Sequence, residues 1–273
     1  MAAIPKFLCG GVTAGEWPQI DAKSFAKILY KSRCNNIVIE SMAPAYAKTE
    51  SGYNDKNLVQ IYNEMKKFIQ PILALDDLWV TLHLTNGNDE TITKYGAMNI
   101  AKTMIDNLKN DFGTKSNIII CPIAENEGEP NEDQLVQYCL QNWVAQGGRL
   151  IFNNGGRPRS LPAGYDLLDY HTQDGNNDCG PKIGRMTLVD TDNGPIIDYL
   201  RYGAAAGKYW GVNRVIDYAT RCKNQGNGLN LYQSSSNLVD AEPLNALGKV
   251  YNVRKKPNWF DILMMEFKLW RIK

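Results

Sequence analysis

The chain of 273 residues contains only two histidines, His83 and His171, which argues against a metal site built from several histidines. Its six cysteines are widely scattered and none shows the C-x-x-C spacing, so zinc-ribbon and thioredoxin-like sites are excluded. Gly10 and Gly11 do not complete a G-x-G-x-x-G fingerprint, and no serine stands in a G-x-S-x-G elbow. These absences argue against a dinucleotide-binding site and against an α/β-hydrolase.

The charge is nearly balanced, with 30 basic and 29 acidic side chains, so no strong global field points to nucleic acid or to a membrane as a partner. A hydrophobic fraction of 44% beside 22% charged residues is ordinary for a globular protein. The first residues lack the apolar core of a secretory signal, and no apolar run is long enough to span a bilayer. We therefore expect a cytoplasmic or particle-associated protein whose cysteines are reduced and behave as small hydrophobic side chains.

Eight short apolar runs recur along the chain, each followed by polar or glycine-rich residues. They cover residues 6–9, 36–40, 78–84, 117–123, 149–153, 165–171, 186–190 and 209–212. Near-continuous apolar runs are typical of parallel strands that are buried on both faces. Helical patterns lie between several of them, and the first helix can be capped by Asp21 and extend to Ser32.

The alternation of strands and helices predicts a parallel α/β fold, and eight strands fit a single (β/α)8 TIM barrel over residues 1–254. The intervals after the fifth and sixth strands contain glycine and proline at 155–158 and 175–181 and leave little room for a helix. We expect the barrel to be reduced or irregular there. A doubly wound open sheet is the structural alternative.

The most informative segment is 118–130, where an apolar strand runs directly into Glu125, Glu127 and Glu129. Like charges this close repel each other, and this repulsion is expected to raise the pKa of at least one carboxyl group. A carboxyl group with a raised pKa can act as a general acid near neutral pH. The alternative is a solvated acidic loop whose carboxylates favour the N-terminus of the following helix.

Polar residues collect at the ends of the predicted strands, as they would around a shared pocket. They are Glu40, His83, Asn86, Glu125, Asn126, Glu127, Asn153, Asp169, His171, Asp190, Asp192 and Trp210. Strand alternation puts Asp169 and His171 on one face, and likewise Asp190 and Asp192. The alternative is that strand ends are polar because they meet water, and that His83 is a satisfied buried histidine.

This arrangement resembles the clan A (β/α)8 glycoside hydrolases. In that clan an Asn-Glu pair closes strand four, and Asn126-Glu127 stands at the corresponding place. His83 near the end of strand three, His171 on strand six and Trp210 near the predicted strand eight are also similar to the clan's pattern. The resemblance covers strand positions along most of the chain, although each motif is short.

The resemblance implies a glycosidase of carbohydrate metabolism, with carbohydrate as its partner and with no cofactor and no metal. Glu127 would be the acid that protonates the leaving oxygen, and Asn126 would hold a sugar hydroxyl. Further substrate contacts are expected from Glu40, His83, Glu125, Asn153, His171 and Trp210.

Strand seven departs from the clan, whose nucleophile there is a glutamate, because this chain has Asp190 and Asp192 instead. Either aspartate could act as nucleophile or base, or a wider spacing of the two carboxylates could support an inverting mechanism. The alternative is a catalytically inactive barrel that binds glycan or serves in an assembly. A barrel enzyme that combines carboxylates with a divalent metal is a third hypothesis.

The segment 255–273 is rich in aromatic residues and, as a helix, groups Trp259, Leu263, Phe267 and Trp270 on one side. We expect this amphipathic segment to pack over the barrel or against a neighbouring subunit, which would make a homo-oligomer. Attachment to a membrane surface or to an assembly is the alternative.

Overall fold

A computed structural model of the protein contains a closed barrel of eight parallel strands, each paired with the next along the chain. The strands are β1 (Cys9–Ala14), β2 (Asn36–Glu40), β3 (Trp79–Asn86), β4 (Ile118–Ala124), β5 (Arg149–Phe152), β6 (Leu167–Thr172), β7 (Met186–Thr191) and β8 (Gly228–Tyr232). The structure describes residues 3–14, 21–40, 48–49, 52–53, 57–75, 77–86, 95–114, 116–124, 130–153, 160–172, 179–180, 182–191, 212–232 and 241–272. The predicted (β/α)8 TIM barrel is confirmed.

The described helices surround this barrel. They are α1 (Ala22–Ser32), α2 (Leu58–Leu73), α3 (Ala97–Phe112), α4 (Pro130–Asn142), α5 (Val212–Asn224), α6 (Ala241–Tyr251) and α7 (Trp259–Trp270). Asp21 caps α1 as predicted, because its carboxylate accepts hydrogen bonds from the backbone N–H groups of Lys23 and Ser24. Among the described helices, none combines the length and the apolar character needed to cross a bilayer.

The eighth strand does not lie where the sequence pattern put it. The pattern predicted a strand at 209–212, but Val212 begins α5 and the eighth strand is Gly228–Tyr232. The helix has its own period, with buried side chains at Val215, Tyr218, Ala219 and Cys222. The true strand was missed because the polar Asn230 interrupts its apolar residues, and a strand with a polar inner face does not form a continuous apolar run.

The barrel is irregular on one side, as predicted. Within the described parts of the two intervals, residues 160–166 between β5 and β6 and residues 179–180 and 182–185 between β6 and β7, there is no helix. The backbone of this side is instead tied directly to the strands, with Arg185 N–H donating to the carbonyl of Asp166 at 3.1 Å. The described parts of both connections therefore add no helix to the outer layer beside β5 and β6.

Alternation along β3 separates a polar inner face from an apolar outer face. Thr81, His83 and Thr85 are buried polar residues, and the apolar residues between them are buried as well. The outer face packs against the helices, whereas the inner face fills the barrel. The polar side chains of Thr81, His83 and Thr85 therefore need hydrogen-bonding partners within the protein.

Helix α7 lies along the flank of the barrel, antiparallel to α1. Lys27 of α1 pairs with Glu266 at 2.6 Å, and Lys23 donates to the carbonyl of Ile272 at 2.7 Å. The helix buries Met265 and Leu269, so it packs against the body of the protein beside α1. The face predicted to make this contact is the other one, because the side that carries the tryptophans is exposed.

Helices α1 and α6 approach each other so closely that only glycine fits at Gly248. A Cβ atom there would lie 1.8 Å from the carbonyl oxygen of Ser32 at the end of α1. We expect Gly248→Ala to force the helices apart and to lower the free energy of unfolding by about 1–3 kcal/mol, despite the better helix propensity of alanine. The measurement is a urea denaturation curve.

The matched control is Asn245→Ala, an exposed position of the same helix, where we expect an unchanged or slightly higher stability. A Gly248→Ala protein as stable as this control would contradict the close approach of the two helices.

Candidate functional site

A buried histidine and a buried aspartate meet inside the barrel. His83 of β3 places Nε2 2.8 Å from Oδ2 of Asp169 of β6, and both side chains are fully buried. Two strands, β4 and β5, separate β3 from β6 around the barrel wall. The contact therefore crosses the interior and fixes the distance between two non-neighbouring strands.

Asn153 completes this cluster from a third strand. It follows the last residue of β5, is buried, and donates a hydrogen bond from Nδ2 to the same Oδ2 of Asp169 at 3.0 Å. A carboxylate without water or partners is strongly destabilising, and groups from β3 and β5 supply partners here. We refer to His83, Asn153 and Asp169 as the central cluster.

All three members were predicted to be polar strand ends, but only His83 and Asn153 were predicted to contact substrate. Asp169 has a signal that could have identified it as the centre of the cluster, because it interrupts the apolar run Leu167-Leu168 to Tyr170. An ionisable residue in the middle of a buried strand needs dedicated partners.

A second polar layer lies nearer to the amino ends of the strands. The Thr81 hydroxyl donates a hydrogen bond to Oδ1 of Asn36 at 3.2 Å. Nδ2 of Asn36 in turn donates to Oδ1 of Asn230 at 3.5 Å. All three residues are buried. Hydrogen bonds between β2, β3 and β8 thus close the interior below the central cluster, which leaves that cluster at the carboxyl-end side where barrel enzymes hold their ligands.

Three further predicted residues have a described backbone position. Glu40 is the last residue of β2, and the Cα of His171 on β6 pairs with the Cα of Asp190 on β7. The Cα of Asp190 also pairs with that of Asn230 on β8. The register therefore sets His171 and Asp190 side by side in one row of the barrel wall.

The remaining predicted site residues lie outside the described residues. They are Glu125, Asn126, Glu127, Asp192 and Trp210, together with the side chain of Asn86. The strands that precede two of these segments are described: β4 ends at Ala124, directly before Glu125, and β7 ends at Thr191, directly before Asp192. Their assigned roles stay predictions.

The six cysteines are free and buried, as expected. Burial raises the pKa of the Cys9 thiol and of the Cys139 thiol well above the ordinary value. A raised pKa disfavours the thiolate, which is the nucleophilic form of cysteine. These two thiols are packing residues rather than nucleophiles.

The burial of the central cluster predicts that the protein depends on Asp169 for its stability. We expect Asp169→Ala to lower the free energy of unfolding by about 3–5 kcal/mol, because it removes the buried carboxylate that lies against His83 and accepts a hydrogen bond from Asn153. The control is Asp166→Ala, three residues earlier, whose half-exposed carboxylate lies 3.6 Å from Arg149 and should cost less than about 1 kcal/mol. Equal losses in urea denaturation of the two variants would contradict the importance of the buried contact.

Comparison with known proteins finds similarity of structure. No protein-family model matches the sequence, and no curated protein matches it significantly. A family 5 broad-specificity endoglucanase from Clostridium longisporum has a TM-score of 0.58 at 11% identity, covering 91% of this chain and 97% of that one. The family 5 glycoside hydrolase PbGH5A from Prevotella bryantii has a TM-score of 0.57 at 10% identity, covering 90% and 96%.

A structure of the E280A mutant of the same Prevotella enzyme, in complex with a xyloglucan tetradecasaccharide, has a TM-score of 0.53 at 10% identity and covers 90% of this chain and 96% of that one. At these identities the likeness is one of fold. The chain therefore has the (β/α)8 barrel fold of the clan A glycoside hydrolases, in agreement with the resemblance seen in the sequence.

Proposed function

We propose that the protein is a glycoside hydrolase that cleaves a glycosidic bond of a poly- or oligosaccharide with a pair of carboxylates. The observation that carries the proposal is the contact between His83 and Asp169 across the interior of a barrel of the clan A type. His83 stands in register with Cys121 of β4, and Asp169 with Leu188 of β7.

This register connects the contact to the reaction. The strands β4 and β7 lead into the two candidate carboxylate segments, Glu125–Glu127 and Asp190–Asp192. Because β3 is bonded to β4 and β6 to β7, a 2.8 Å contact between β3 and β6 holds the two carboxylate-bearing strands at a fixed separation. A fixed separation of acid and base is what glycoside hydrolysis requires.

In the proposed reaction, Glu127 protonates the glycosidic oxygen while an aspartate of the strand-seven segment acts from the other side of the sugar ring. Glu125 and Glu129 raise the proton affinity of Glu127 by like-charge repulsion. An aspartate on strand seven, Asp190 or Asp192, is one methylene shorter than glutamate. This favours a wider gap of about 6.5–9.5 Å, which admits a water molecule and leads to inversion at the anomeric carbon.

The proposed substrate is a β-linked polysaccharide, on the analogy of the endoglucanase and of the enzyme that binds xyloglucan. The proposed direct sugar contacts are Glu40, Glu125, Asn126, His171 and Trp210. His83 and Asn153 are buried and are proposed to act indirectly. A deeply buried His83 would act on the sugar through the side chains around it, because it has no exposed surface of its own.

A second candidate function is glycan binding or a structural role without catalysis. It is favoured by one observation, the aspartates of strand seven in place of the glutamate of the clan. The two functions differ in whether the barrel releases reducing ends from a glycan that it binds.

The first test is Glu127→Gln, which keeps the shape of the side chain but replaces the acidic carboxyl group by an amide that cannot protonate the leaving oxygen. We expect the release of reducing ends from xyloglucan, lichenan or cellulose derivatives to fall by at least about 10²-fold with an unchanged melting temperature. Asp133→Asn, at an exposed position of the following helix, is the control and should keep the activity. Full activity of Glu127→Gln would overturn the assignment, and binding of a glycan without release by the wild type would favour the second function.

A second test separates the two aspartates of strand seven. We expect one of Asp190→Asn and Asp192→Asn to lose activity by at least about 10²-fold, and the other to retain most of it, because a single carboxylate serves as base or nucleophile. Proton NMR of the first product formed gives the anomeric configuration, with inversion expected. Retention of configuration would contradict the wider spacing.

A further inference from the structure

One helix carries most of the exposed apolar surface of the described residues. Eight large hydrophobic side chains are exposed, and six of them belong to α7. These six form the α7 aromatic face, which consists of Trp259, Phe260, Leu263, Met264, Phe267 and Trp270. At about 100° per residue they fall within roughly 140° of the helix circumference. They form one patch rather than a scatter of single side chains.

This patch is large for a protein that stands alone. Trp259 and Trp270 are 76% and 78% exposed, which leaves on the order of 200–400 Å² of these two aromatic side chains open, at about 150–250 Å² for each. The other four side chains bring the patch toward or beyond the upper end of the roughly 300–600 Å² that monomers ordinarily expose. A patch of this size marks a surface that binds something.

The patch is held in place by contacts on the rest of the helix. Met265 and Leu269 are buried on the opposite face, and Glu266, at the edge of the patch, pairs with Lys27 at 2.6 Å. The guanidinium of Arg254 lies 4.1 Å from the ring centre of Tyr30, which fixes the segment that leads into the helix. The tryptophans therefore point outward because α7 is docked on its other face.

The charges around the patch select its partner. Both acidic residues of α7 are engaged, Asp261 in the capping box with Asn258 and Glu266 with Lys27. The cations at the two ends are exposed: Lys255 and Lys256 precede the helix, and Arg271 follows it. The patch is thus an apolar strip with positive charges at its two ends. It complements a partner whose interior is apolar and whose outer layer carries negative charge.

A second copy of the chain fits this pattern less well. An antiparallel pair of α7 helices would bring Lys255 and Lys256 of one copy against Arg271 of the other, and a parallel pair would bring each group against itself. Like charges at the rim of an interface oppose association. An anionic partner removes this repulsion and turns the same charges into attraction.

We propose that the α7 aromatic face docks the protein onto an anionic lipid surface. The helix has 12 residues, about 18 Å, which is too short to cross a bilayer and suits a helix that lies in its interface. Tryptophans near both ends sit at the level of the lipid headgroups, where indole is preferred. Lysine and arginine beside them meet the negative headgroups.

The test is sedimentation of the full chain with lipid vesicles. We expect binding to phosphatidylcholine vesicles that contain about 30% phosphatidylserine, at least about tenfold weaker binding to pure phosphatidylcholine, and weakening by added salt. Trp259→Ala combined with Trp270→Ala should reduce binding at least about tenfold, because it removes the apolar anchors. Val59→Ala combined with Ile216→Ala alters the two exposed apolar residues elsewhere and is the control.

The replaced side chains are exposed, so circular dichroism and melting temperature should match the wild type for both variants. Equal binding to both kinds of vesicle, or none to either, overturns the proposal through the wild type alone, whatever the variants do. Binding that survives loss of both tryptophans also overturns it. A concentration-dependent dimer in analytical ultracentrifugation that is lost in the tryptophan variant, without vesicle binding, would assign the face to self-association instead.

Discussion

A carboxylate that water cannot reach constrains the interior of this barrel. Asp169 is enclosed on β6, where His83 from β3 and Asn153 from β5 reach the same oxygen. Backbone pairing closes the barrel, and the number and stagger of its strands set its width. The polar contact across the interior adds a constraint between β3 and β6, because such a contact is strong at a short distance where water is excluded.

Several strands of the barrel thus have two faces with different tasks. The outer faces and the helices supply apolar burial, where an exchange of one aliphatic side chain for another of similar volume is tolerated. The inner faces hold Asn36, Thr81 and Asn230 in one layer and the central cluster in the next. Polar groups in an enclosed interior have no such tolerance, since each depends on a particular partner. The polar contacts of the interior therefore specify the arrangement of the strands, and the apolar contacts between strands and helices supply most of the buried apolar area.

This division also explains how far the sequence could be understood before the structure. Six strands were located because burial on both faces makes a continuous apolar run, and the cap at Asp21 follows from local chemistry. The predicted first strand, residues 6–9, shares only Cys9 with β1, whose own sequence begins with two glycines after Cys9. The eighth strand was missed because Asn230 serves the interior rather than the apolar shell. The hydrophobic periodicity of a sequence indicates which residues are buried. It does not indicate which distant residue is the hydrogen-bonding partner of a buried polar side chain.

The same limit applies to the site and to α7. The sequence singled out His83 and Asn153 by their positions at strand ends, yet their meeting at Asp169 depends on the register of three strands, which no local pattern encodes. The aromatic side of α7 was visible in the sequence, but its orientation was not. Met265 and Leu269 are less prominent than the tryptophans, and they are nevertheless the residues that face the barrel.

The direction of α7 has a geometrical consequence. Helix α1 runs from the carboxyl end of β1 back to the amino end of β2, and α7 lies antiparallel to it, so α7 runs in the same direction as the strands. Whatever covers the exposed side of α7 therefore touches the barrel along its flank, with the barrel axis lying parallel to the covered surface. In this orientation the open end of the barrel faces along the covered surface and not into it. A long polymer could then pass the open end without displacing the attached helix.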